Sequence, residues 1–96
     1  MRKTNEQTIG EVIAEIFEAY HYSEKFDEMK IMNAWPQVTG KMTAKHTKSL
    51  KISNKTLFVT LDSDPLRNEL LYSRSKLLAL LNKKAGKEVI TQIVFR

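Results

Sequence analysis

The 96-residue sequence predicts an α+β domain of two layers, a three-stranded sheet covered by helices. Three observations carry that prediction. Apolar residues recur at helical spacing through the first third of the chain and again from about residue 65 to residue 84. From Thr47 the period drops to two, in two short runs separated by turn residues. A last alternating stretch closes the chain. The order is therefore α–α–(short helix)–β–β–α–β, in a single domain over residues 1–96, because a chain of this length supports one core.

The first helix opens at "TIGEVIAEIFEAY", where Thr8 and Glu11 have the spacing of a capping box. Ile9, Val12, Ile13, Ile16, Phe17 and Tyr20 share one face, while Glu11, Glu15 and Glu18 fall mostly on the other. "HYSEKFDEMKIMNAWPQ" reads as a loop and then a second helix capped by Ser23. Glu24, Asp27 and Glu28 suit the positive end of its dipole, and Phe26, Met29, Met32 and Trp35 supply its buried stripe. Pro36 disfavours helical geometry at Trp35, so a bend is expected there. Pro36 then suits the start of a short helical turn, with Val38 and Met42 facing inward around Gly40.

"KSLKI" places Leu50 and Ile52 on one face, "SNKT" is a turn, and "LFVTL" returns with Leu57, Val59 and Leu61 aligned, which makes a β-hairpin. "DSDP" starts a long helix from about Pro65 to Lys84, capped by Ser63 or Asp64. Leu66, Leu70, Leu77 and Leu81 form its line of contact, flanked by Leu71 and Leu78, and Gly86 stops it. "EVITQIVFR" alternates Val89, Thr91, Ile93 and Phe95 and is expected to pair with the hairpin as a third strand.

Composition narrows the function classes. With 42% hydrophobic and 28% charged residues the chain is globular in type. It has no cysteine, hence no disulfide and no thiolate nucleophile or ligand, which fits a reducing cytoplasm. The N-terminus has two basic residues but lacks a leader's apolar stretch, and no apolar run approaches the roughly 18 residues of a membrane span. A soluble, cytoplasmic protein without a membrane partner is expected.

Phosphate-cradling glycine motifs and the nucleophile elbow are absent, and Gly10, Gly40 and Gly86 are scattered. His21 and His46 lack a second ligand at a metal-binding spacing. Asp62 and Asp64, on either side of Ser63, are better explained by helix capping than by acid–base chemistry. No catalytic residue, metal, cofactor or small-molecule substrate is expected.

Charge is the informative feature. The net charge is +5, but residues 1–34 carry four bases and seven acids while residues 35–96 carry twelve bases and four acids. Lys41, Lys45, Lys48, Lys51 and Lys55 recur every three or four residues, with His46 among them and no acid between. Lysines at such intervals can each replace a counterion on a nucleic-acid backbone. The plainer alternatives are a solvated face that keeps the protein soluble, or neutralisation by the acidic first helix. Arg67 and Arg74, seven apart on the long helix, either snorkel to nearby carboxylates or present two forks to phosphate or an acidic partner. Phe58 and Thr60, on the outer hairpin face, offer a thin platform for base stacking.

The element W-x-x-V-x-G-x-x-x-x-x-H-T, from Trp35 to Thr47, followed by "LFVTLDSDPLRNEL", "LLALLN" and a final "IVFR", resembles the DciA family over nearly the whole chain. The resemblance implies a KH-like α/β domain. It also implies a part in bacterial chromosome replication, as a nucleoid-associated protein with affinity for DNA that helps recruit or load the replicative helicase. The G-x-x-G loop of RNA-binding KH domains is absent, so the likeness is one of topology. Better known members of the family extend beyond this domain with a tail. On these grounds the expected function is a non-enzymatic DNA-binding adaptor, with Lys45, Lys48, Lys51 and Lys55 as leading phosphate contacts and Lys41, Arg67 and Arg74 behind them. The alternatives are a protein-interaction module without significant DNA binding and an RNA-binding KH-like protein.

Overall fold

In the computed structural model, which describes residues 8–96, the two helices expected in the first third are one. Helix α1 runs Ile9–Thr39 without interruption. The leader reading of the N-terminus begins outside the described residues. Thr8 Oγ1 accepts the Glu11 N–H at 3.1 Å and Glu11 Oε1 accepts the Thr8 N–H at 2.9 Å, which closes the expected capping box. No glycine or proline stands between Tyr20 and Phe26 to end the helix. Side chains one turn apart carry it across: the Phe17 and His21 rings meet edge to face at 5.2 Å, and His21 Nδ1 lies 3.7 Å from Glu24 Oε1. Ser23 is thus an interior residue and caps nothing.

Pro36 also lies inside α1. Trp35 is 1% exposed, and its Nε1–H donates to Thr47 Oγ1 at 3.0 Å. Burial of that ring holds Trp35 helical against the local preference imposed by the following proline. Helix α1 ends at Gly40, whose φ of 94° favours glycine, and the five-residue α2, Lys41–Lys45, follows.

Strands β1 (Thr47–Ser53) and β2 (Thr56–Leu61) pair antiparallel, with Leu50 opposite Val59, Lys51 opposite Phe58 and Ile52 opposite Leu57. Asn54 and Lys55 turn the hairpin with φ of 50° and 60°, the positive values that a two-residue turn of the type I′ kind requires. The expected long helix is two: α3, Asp64–Tyr72, capped by Ser63, and α4, Arg74–Ala85. Ser73 separates them with φ −100° and ψ 9°, and its N–H reaches the Leu70 carbonyl in a tightened last turn. Gly86, at φ 87°, ends α4 in the left-handed conformation.

Strand β3, Gln92–Phe95, is shorter than the alternation suggested and runs parallel to β2, giving the sheet order β1-β2-β3. Parallel neighbours need a crossover, and α3 with α4 supplies it. Residues 89 and 90 are withheld from the strand by Asn82. Its Oδ1 accepts the N–H groups of Val89 and Ile90 at 2.9 and 3.1 Å, and its amide donates to the Ile90 carbonyl at 2.8 Å.

Helices α1 and α4 lie on one face of the sheet. Ile31, Ala34 and Trp35 of α1, Leu77 and Leu81 of α4, and Leu57, Val59 and Ile93 of the strands make one continuous core. The α+β arrangement of a three-stranded sheet with helices therefore stands, with the boundaries moved. Among the described residues no helix is long and apolar enough to cross a membrane. The molecule measures 60 × 20 × 20 Å, because only the C-terminal part of α1 packs on the body and the rest projects from it.

Candidate nucleic-acid interface

The sheet has an open face. Alternation buries Leu57, Val59 and Ile93 under the helices, with Leu50 and Ile52 half-buried on the same side, and turns Ser49, Lys51, Phe58, Thr60 and Val94 the other way. Lys51 lies opposite Phe58, and the Arg96 guanidinium stands 4.5 Å from the centre of the Phe58 ring. The Arg96 N–H donates to the Val59 carbonyl and its own carbonyl accepts from Leu61 N–H, which fixes the backbone that carries it. Two cations flanking a half-buried aromatic ring on an open sheet make a surface that can hold phosphate and stack a base.

The five lysines follow one another along α2, β1 and the hairpin turn. Lys41 and Lys45 are exposed and four apart on α2, so they share a face. Lys48 sits where the β1–β2 register shifts between Thr47 and Ser49, with its Nζ 3.4 Å from Asp62 Oδ2. Lys51 is on the open face, and Lys55 is at the hairpin tip. At about 3.3 Å per residue, Lys48 and Lys55 are roughly 20 Å apart along the strand. Lys41, Lys45, Lys51 and Lys55 make no ion pair among the described residues. Because β1 is an edge strand, its lysines also discourage pairing with another sheet. Lys55 keeps its left-handed backbone at a cost of about 1 kcal/mol that glycine would not incur.

The arginines singled out by spacing are not brought together. The break at Ser73 puts Arg67 on α3 and Arg74 on α4, both in the helical layer, away from Lys51 on the open face. Arg67 is 28% exposed in its side chain and its Nη1 is held by Asp64 Oδ1 at 2.6 Å. Arg74 is exposed in the first turn of α4, next to Tyr72, which is 93% exposed. Arg96 escaped the sequence reading. Its parity with Val94 was available, but the ring beneath it is set by the parallel register of β3, which local pattern does not encode.

His46 and Thr47 have structural partners. His46 Nδ1 meets Asp62 Oδ1 at 2.8 Å, and the Asp62 N–H donates to the His46 carbonyl at 3.1 Å. The hydrogen bond with His46 holds the Asp62 carboxyl below its ordinary value against an opposing effect of desolvation, with Lys48 lowering it further. Thr47 Oγ1 accepts from the Trp35 indole and donates to the Thr43 carbonyl at 2.7 Å. The element from Trp35 to Thr47 thus joins α1, α2 and β1, and through Asp62 the end of β2.

The acidic first helix reaches the lysine series at its last member, where Lys55 shares a cleft with Tyr20, Glu24, Asp27 and Glu28. It meets the basic part of the chain through Asp27, whose Oδ2 is 2.7 Å from Lys87 Nζ. That bond raises the Lys87 pKa above its ordinary value. Among the described residues there is no group of three or more His, Cys, Asp or Glu side chains placed to hold a metal ion.

Comparison with known proteins adds two findings. The model of the family described as "Dna[CI] antecedent, DciA" matches residues 8–95. The chain is also similar to a UPF0232 protein of Corynebacterium glutamicum (strain R), with 29% identity over 63 residues. The match takes in 66% of this chain and 35% of that protein, so the chain spans about a third of that relative's length.

Proposed function

The chain belongs to the DciA family, and from that premise we propose that it is a non-enzymatic, DNA-binding adaptor that helps recruit or load the replicative helicase in bacterial chromosome replication. The observation that carries the DNA-binding part is the series Lys41, Lys45, Lys48, Lys51 and Lys55, continued onto the open sheet face by Phe58 with Arg96 over its ring. The contacts are mainly to phosphate. Lys45, Lys48, Lys51 and Lys55 lead, Lys41 and Arg96 assist, and Arg67 and Arg74 on the helical layer are secondary. Lys55 supports the reading in a second way, since a lysine occupies a backbone position where glycine would be less strained.

Binding of fluorescent single-stranded and duplex DNA, followed by anisotropy across a salt series, tests this. Log affinity is expected to fall with log salt by roughly 0.7 per neutralised phosphate for single strands and 0.9 for duplex. Charge reversal of Lys48 and Lys51 together is expected to weaken binding at least tenfold, on the order of 1.4 kcal/mol, while leaving the circular dichroism spectrum unchanged. Binding that ignores salt, or a double variant that binds like wild type, removes the series from the interface.

If DNA binding is absent, the same basic face is available to an acidic surface of the helicase or another protein. Capture of purified helicase after nuclease treatment tests that reading. Competition between DNA and RNA strands of matched sequence tests an RNA preference.

A further inference from the structure

The projecting half of α1 is amphipathic, and among the described residues its apolar side is left exposed as far as Tyr20, which borders a cleft with Lys55 and Lys87. Ile9, Val12, Ile13, Ile16, Phe17 and Tyr20 are between 38% and 80% exposed. At 100° per residue these six fall within an arc of about 140°, and Ile31, Ala34, Trp35 and Val38, which pack on the core, fall within the same arc. The bare stripe is therefore the continuation of the core-facing side, separated from it by Ser23, Glu24 and Asp27. Asp27, 13% exposed in its side chain and paired with Lys87, marks where the body begins.

The spacing of the stripe reads the same in both directions. Its intervals are three, one, three, one and three, so reversal about the midpoint between Ala14 and Glu15 exchanges Ile9 with Tyr20, Val12 with Phe17 and Ile13 with Ile16. A surface that maps onto itself under reversal suits an isologous two-fold contact. The residues that border the stripe on either side, Gly10 and Ala19, are exchanged by the same reversal and are small, while Glu11 and Glu18 lie on the far side of the helix.

We propose that this half of α1 pairs antiparallel with the same half of a second copy of the chain, with Ile13 of each helix against Ile16 of the other at the two-fold axis. The body dictates the direction. It lies on the side the stripe faces, so a parallel partner continuing past Tyr20 would run into it. An antiparallel partner ends its helix at Ile9 opposite Tyr20, short of Asp27, and its own body falls beyond the other end. The partner's helix start then comes to rest beside Ser23, Glu24 and Asp27, where carboxylates favour the positive end of a helix dipole. Covering six such side chains on each copy removes on the order of 1,000 Å² of apolar surface, close to the lower limit for a specific interface. The pairing is independent of the DNA-binding reading, and either can fail without the other.

Sedimentation velocity across the micromolar range is the primary test, with a dimer of the 11.1 kDa chain expected. Ile13→Glu with Ile16→Glu is expected to weaken association at least about 100-fold, because it places four unpaired carboxylates in an apolar contact. Both positions are exposed, so the variant chain should keep its fold, as circular dichroism can verify. The protein has no cysteine, which permits a register test. Oxidation of mixed Ile9→Cys and Tyr20→Cys chains should give a cross-linked pair, and Ile9→Cys alone should not. A wild-type monomer at every concentration, a dimer that survives the double Glu substitution, or efficient cross-linking of Ile9→Cys to itself overturns the proposal. So does a wild-type monomer whose capture of purified helicase is abolished by the double Glu substitution, which would assign the stripe to that partner instead.

Discussion

At the scale of single residues, the side chains that carry the family resemblance turn out to be joints. Trp35 and Thr47 are twelve residues apart in sequence yet share one hydrogen bond, and Thr47 passes the connection on to the Thr43 carbonyl. Thr47→Val keeps the shape and removes both bonds, leaving the buried indole N–H unpaired, so a loss of about 1–3 kcal/mol in urea unfolding is expected. Asp62 couples the fold to acid. Its native pKa is lowered chiefly by His46, so its contribution is fully present above the ordinary value of 3.8 and is lost as pH falls through the lower native value. The difference in urea midpoint between wild type and Asp62→Asn should therefore be largest near neutrality and shrink below about pH 4. A difference that is constant from pH 7 to pH 2.5 would remove the carboxylate from the account.

At the scale of elements, each departure from local pattern has a local cause or a tertiary one. Helix α1 continues through "HYS" because no residue there breaks a helix, and through Pro36 because the Trp35 ring must stay in the core. The alternation at Val89 and Thr91 predicts strand, but Asn82 takes up the backbone of residues 89 and 90, accepting two hydrogen bonds and donating one. Asn82→Ala should cost about 2 kcal/mol and show first as faster amide exchange at Val89 and Ile90. The hairpin tip supplies a prediction of opposite sign. Lys55→Gly should raise stability by about 1 kcal/mol, by relieving a left-handed lysine, while weakening DNA binding through the lost charge. Unchanged affinity in that variant would remove Lys55 from the phosphate contacts.

At the scale of the whole molecule, the division of charge in sequence is only partly a division of space. The N-terminal half of the acidic helix leaves the body, while the lysines follow on α2, the edge strand β1 and the hairpin tip, where Lys55 shares a cleft with Tyr20, Glu24, Asp27 and Glu28 of α1. The proposed DNA-binding surface and the proposed pairing surface share no residue. A consequence is that variants of the stripe should leave the salt slope of DNA binding unchanged, whereas reversal of Lys48 and Lys51 should reduce it by roughly 1.4 to 1.8. Anisotropy titrations on both variants between low and moderate salt distinguish the two surfaces.

Legible in the sequence were the two-layer class, the hairpin, the Thr8 and Ser63 caps, the Gly86 stop and the lysine spacing, because the local features among these follow from contacts within a few residues. Thr8 with Glu11, Ser63 with Leu66 and the alternation of Leu57, Val59 and Leu61 are all of that kind. Tertiary structure alone decided which apolar stripe was covered. Ile16 and Phe17 resemble Ile31 and Trp35 in pattern, yet only the second pair meets the sheet, because a helix of 31 residues is longer than the body it packs on. The same holds for Arg96. It reaches Phe58 through a parallel pairing across a two-helix crossover, and no residue near it in sequence encodes that partner.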